Sequence, residues 1–137
     1  MYKKIMVPVD LAHIERLDKA ITTATDLAKH YDIPICFVGV TAETPTEVAH
    51  TPKEFAQKLE KFGAEQSRKH DLEIDTAAYP SHDPAIDLDD TLIKAAQENS
   101  ADLIVMASHL PGLAEHVFAS NAGAVASHAK VSVFVIR

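Results

Sequence analysis

The sequence predicts a doubly wound α/β domain: a five-stranded parallel sheet with helices on both faces. Two observations carry this. Short β-branched apolar runs alternate with longer stretches of helical periodicity, in the order β-α-β-α-β-α-β-α-β. The chain has 137 residues, 47 % of them hydrophobic, which suits one domain spanning 1–137. Parallel strands joined by right-handed crossovers must then carry helices on both sides.

The first strand covers 3–9 (KKIMVPV), with charges only at its entrance. In 14–28 apolar residues fall at 14, 17, 20, 21, 24, 27 and 28, with polar residues at every other position, a helical template. Residues 33–41 (IPICFVGVT) form a buried strand, and 42–52, polar with two prolines, a loop. A second helix at 53–69 carries Phe55, Leu59 and Phe62 on one stripe. Its Gly63 weakens it by about 1 kcal/mol relative to alanine. A partly alternating strand follows at 73–79. Asp83 and Pro84 open a third helix as N-cap and first residue, and it runs to about Asn99. A buried strand at 102–107, a loop at 108–118 with room for one helical turn, a short helix at about 120–128 and a last strand at 131–136 complete the chain.

Composition narrows function. The net charge of −7 argues against nonspecific binding to nucleic acid or to an anionic membrane. No run reaches the ~18 apolar residues of a membrane span, and the N-terminus lacks the apolar core of a signal peptide. One cysteine, Cys36, excludes an intramolecular disulfide and points to a reducing, cytoplasmic setting, where it reads as an inert core thiol.

In open α/β sheets ligands collect beyond the carboxyl ends of the strands, where the winding reverses. Two strand ends carry suitable chemistry: Pro8-Val9-Asp10 and Ala107-Ser108-His109. A carboxylate at Asp10 can accept from a ribose or a base amine; it can equally serve as a turn or N-cap residue. Ser120 and Asn121 stand where the last helix is expected to start. They can add donors to an anion site, or simply cap the helix.

These positions resemble the universal stress protein family over essentially the whole chain. Ile5-Met6-Val7-Pro8-Val9-Asp10 matches the family's first strand and its aspartate. Asp102 through His109, then Ser120 through Ala126, then Val131 through Arg137 match its C-terminal third. The resemblance implies a Rossmann-like sheet in the order 3-2-1-4-5. It also implies a homodimer through strand 131–136, an apolar terminal edge without proline or lysine. It implies ATP or a related adenine nucleotide, with Mg2+, as a regulatory ligand: Asp10 on the ribose, the Val40 backbone on adenine, amides from Ser108 to Gly112 around phosphate, and Ser120 with Asn121 at the helix start.

The family's phosphate motif is G-x2-G-x9-G-[ST]. Read from position 107, this chain has Ala107, Leu110, Ser120 and Asn121, so none of the three glycines is kept; Gly112 lies two residues past the second. Shifted by one residue, Ala119-Ser120 falls on the closing pair. The loss motivates an alternative, a nucleotide-free adaptor of the same fold working through protein contacts. A weaker third reading is a hydrolase placing Mg2+ with Asp87, Asp89 and Asp90, although acidic residues favour a helix start in any case. The eight histidines show no metal-ligand spacing, and no nucleophile or general base is evident. The expectation is a switch, not a fast enzyme.

Overall fold

The computed structural model describes residues 1–108 and 117–137. Its elements are β1 (Ile5–Pro8), a 3-10 helix (Leu11–Arg16), α1 (Asp18–Tyr31), β2 (Ile35–Ala42) and α2 (Pro52–His70). Then come β3 (Ile74–Ser81), α3 (Pro84–Glu98), β4 (Leu103–Ala107), α4 (Val117–His128) and β5 (Ser132–Ile136). The sheet is five-stranded and parallel in the order β3-β2-β1-β4-β5, as the family resemblance implies.

Strand alternation sorts the core into two layers. Ile5, Val7, Ile35, Phe37, Leu103 and Val105 face α1 and α2. Met6, Cys36, Val38, Ile104 and Met106 face α3 and α4. Both faces of the central strands are therefore covered, which is why they read as unbroken apolar runs rather than alternating ones. Cys36 is 1 % exposed, and burial pushes its thiol pKa up, as suits an unreactive core residue.

Two glycines let α2 lie close on the sheet. A Cβ on Gly39 in β2 would stand 2.7 Å from the Phe55 ring, and one on Gly63 in α2 would stand 2.6 Å from Thr76 Cγ2. The helix weakness at Gly63 is thus the condition for its contact with β3. Thr51 caps α2, its hydroxyl accepting from Glu54 N–H at 3.1 Å, while His50 N–H donates to Glu54 Oε2.

Three expectations shift. The periodic segment 14–28 is not one helix: a 3-10 turn covers Leu11–Arg16, and α1 runs from Asp18 to Tyr31. Leu17, Ala20, Ile21, Ala24 and Ala28 are buried as expected, but Ile14 lies on the 3-10 turn and is 40 % exposed. The cause is upstream: the Asp10 side chain accepts from Ala12 N–H and starts a helix too early to be in phase with α1. Second, Asp83 precedes Pro84 at the start of α3, yet its side chain makes no capping bond. Its carbonyl instead accepts from the amides of Ile86 and Asp87. Third, α4 begins at Val117 rather than near 120.

At the amino ends of the strands, β1 is fastened to β4 by Asp102. Its carboxylate accepts from the amides of Lys3 at 3.0 Å and Lys4 at 3.1 Å, and Lys4 O accepts from Asp102 N–H.

Candidate functional site

The carboxyl ends behave oppositely. The β1–β4 ladder holds only Ile5↔Leu103 and Met6↔Ile104. Beyond it each strand stays with its other neighbour: Val9 N–H donates to Val38 O at 2.8 Å, and Ser108 N–H to Ile136 O at 2.7 Å. Between β1 and β4 the sheet therefore divides. This is the position at which doubly wound sheets bind ligands.

β1 ends in buried Pro8 and Val9, which carry Asp10 to the rim. The Asp10 carboxylate is organised by its own chain. Oδ1 accepts from Ala12 N–H at 3.0 Å, and Oδ2 lies 2.8 Å from His13 Nδ1. His13 leaves helical geometry (φ −136°, ψ 49°) at the residue whose ring reaches back. The capping role open from sequence is thus realised.

Val40 lies beside it. The β1–β2 ladder ends at Pro8↔Val38, so the main-chain groups of Val40, two residues on and facing the same way, pass the end of β1. Its side chain packs on the α3 layer. Asp10 and Val40 line one cleft of about 210 Å³, with Thr46, Val48, Phe55 and Pro84 completing its walls. Complete small-molecule pockets run to about 300–1,000 Å³. A second hollow of about 480 Å³ lies across Leu11, between the 3-10 turn and α2. Its Lys58 is held by Glu54 and by the Val48 carbonyl.

On the opposite lip, Ala107 ends β4 and Ser108 follows. Among the described residues the buried Ser108 hydroxyl has no hydrogen-bond partner. Such a group costs about 1–3 kcal/mol when unsatisfied, so it marks where a ligand oxygen would be welcome. His109 and Gly112 lie outside the described residues. Ser120 and Asn121 fall within α4, three and four residues past its first, rather than at its start.

The structure thus brings Asp10 and Val40 to one cleft and sets Ala107 and Ser108 at the neighbouring strand end. Sequence reasoning passed over His13, Thr46 and Phe55. The signal for His13 was its i, i+3 spacing from Asp10; Thr46 and Phe55 come from a loop and a helix that only the fold brings near. Among the described residues no three His, Cys, Asp or Glu side chains gather as a metal site.

A doubly wound domain whose sheet parts at a topological switch point is the architecture in which open α/β proteins hold ligands. The chain belongs to the universal stress protein family, whose model matches residues 1–137. It is 28 % identical to universal stress protein G of Salmonella typhimurium, over 100 % of both chains. The structure of the universal stress protein from Archaeoglobus fulgidus in complex with dAMP superposes with a TM-score of 0.71, at 20 % identity, covering 99 % of this chain and 98 % of that one. A universal stress protein family protein from Arabidopsis thaliana with AMP bound gives 0.68 at 14 % identity, covering 98 % and 90 %.

Proposed function

We propose that this protein binds an adenine nucleotide across the parted ends of β1 and β4 and works as a dimeric regulatory switch in the cytoplasm. The observation that carries the reading is the single cleft shared by the Asp10 carboxylate and Val40. The carboxylate would accept from ribose hydroxyls, while the main chain of Val40, past the end of β1, would face the base. The Ser108 hydroxyl, without a partner among the described residues, would meet an oxygen further along the ligand. Relatives of the same fold, solved with dAMP and with AMP bound, support this choice of ligand.

Whether ATP with Mg2+ or a monophosphate is preferred turns on the segment from Ala107 to Ser120. There Ala107, Leu110 and Ser120 stand at motif positions that favour glycine. A side chain at those positions crowds the backbone's approach to phosphate. The same feature supports a second reading, an adaptor that has dropped the nucleotide and kept the fold.

Thermal unfolding with AMP, ADP and MgATP separates the two. A ligand at 100 times its dissociation constant stabilises the fold by about 2.7 kcal/mol. A rise in Tm with an adenine nucleotide, absent with the guanine counterpart, is the expected result. No shift with any of them at millimolar concentration leaves the adaptor. Asp10→Ala should abolish the shift while the free protein still unfolds cooperatively, with the loss of about 1 kcal/mol expected for a removed cap. Unchanged nucleotide affinity in that variant removes Asp10 from the site.

A further inference from the structure

The sheet has a second feature that nucleotide binding does not use. β3 is an edge strand of eight residues, Ile74–Ser81, paired on one side only. Ile35 N–H donates to Glu73 O, and the register then runs unbroken from Ile35↔Ile74 to Ala42↔Ser81. Parallel pairing alternates, so Asp75, Ala77, Tyr79 and Ser81 turn their main-chain groups towards β2. Ile74, Thr76, Ala78 and Pro80 turn theirs outward. The outer edge therefore offers three N–H groups and four carbonyls, because Pro80 supplies an acceptor without a donor. A proline is tolerated in a strand on this outward phase. None of the outward groups has a partner among the described residues.

Natural edge strands are usually short, bulged or guarded by lysine. β3 is longer than β5, has no bulge and holds no lysine or arginine between Ile74 and Ser81; its one proline guard, Pro80, stands next to its last residue and leaves Ile74 to Tyr79 open. A shallow hollow runs along it, walled by Glu60, Ala64, Ser67 and Arg68 of α2 and floored by Ile74 and Thr76. On the α2 face the hollow holds one carboxylate and one guanidinium, Glu60 and Arg68; on the other face of the same strand edge stand the exposed carboxylates of Glu73 and Asp75 with no cation between them in sequence.

We propose that the outer edge of β3 is a docking site for an extended segment of another protein bearing lysine or arginine, which adds to the sheet as a sixth strand. The unpaired ladder selects an extended backbone, since only a strand matches donors and acceptors at this repeat. The Glu73 and Asp75 carboxylates on one face of the edge select cationic side chains at every second position of that segment. A second copy of this chain is the poorer occupant, because it brings the same carboxylates and a net charge of −7 to the contact.

The test is amide hydrogen exchange on the full chain, with a blocked eight-residue peptide of alternating valine and lysine as probe. Alone, the protein should exchange Ile74, Thr76 and Ala78 rapidly and Asp75, Ala77 and Tyr79 slowly. The peptide should slow the first set about tenfold, as expected for amides newly held in a ladder. The same peptide methylated at every amide nitrogen should have no effect, and glutamate in place of lysine should weaken binding about fivefold. Thr76→Pro removes the central outward donor and should abolish the effect; the methylated peptide gives the same information with the protein intact. Four results overturn the proposal. They are no slowing at millimolar peptide, equal slowing by the methylated peptide, protection confined to Val9 and Val40, and protection that grows with protein concentration in the absence of peptide. The experiment contains no nucleotide, so its outcome is independent of the nucleotide reading.

Discussion

Gly39 and Gly63 show how much a missing side chain decides. Each sits where a Cβ would press into a neighbour, at 2.7 Å from the Phe55 ring and 2.6 Å from Thr76 Cγ2. Gly39→Ala should destabilise the protein by about 1–3 kcal/mol, as overpacking a closed core does. Urea unfolding reads this directly, and an unchanged midpoint would mean that Phe55 moves freely. Gly63 looked like a local defect from sequence because helix propensity ignores what lies across the interface. The opposite case is Asp71, which ends α2 at φ 53°, a left-handed conformation that glycine adopts with least strain. Asp71→Gly should raise stability by about 0.5–1 kcal/mol. Asp32 ends α1 in the same way at φ 55°. Neither stop was legible in advance, since aspartate is an ordinary helix-surface residue until its φ is known. Asp10 was legible as a polar residue at a strand end. Its tie to His13 was not, because that bond depends on a 3-10 turn the periodicity concealed.

Among the elements, the strands were the easiest to read. β1, β2 and β4 are covered on both faces, and full burial leaves a continuous apolar signature. Helix boundaries were harder, because periodicity runs through a kink when apolar residues happen to continue. Ile14 kept the template intact while lying on a different element. β5 carries the element-scale prediction. It is the edge strand opposite β3, and Phe134 on it is 44 % exposed. If two copies pair through this strand, as the family resemblance implies, Phe134→Glu should convert a dimer to a monomer in light scattering while leaving the fold's circular dichroism unchanged. Substitution is a cleaner test than deletion after Lys130, since deletion would also strip Ser108 N–H of its acceptor on Ile136. A dimer that survives Phe134→Glu would place the interface elsewhere.

For the whole molecule, a few rules direct attention to the carboxyl ends of the strands: right-handed crossovers, buried parallel strands, ligands at the reversal of winding. The order 3-2-1-4-5 itself came from the family resemblance, not from those rules. Those rules singled out the ends of β1 and β4, and with them Asp10 and Ser108, 98 positions apart in the chain. They could not supply Thr46 or Phe55, whose approach depends on how a loop and a helix settle over the strand ends. Nor could they supply the phosphate side, where His109 and Gly112 lie beyond the described residues.

The Asp102 carboxylate gives the domain a pivot. It staples the first residues of β1 to the foot of β4, so the two central strands resemble the arms of a clothes-peg, sprung at one end and gaping at the other. Jaw movement would then turn about that staple without loosening the rest of the sheet. Deuterium uptake should be slowest at Met6 and Leu103, whose amides face across the β1–β4 seam that the staple guards, and should quicken there in Asp102→Ala. Equal protection in both proteins would show that the peg closes without its spring.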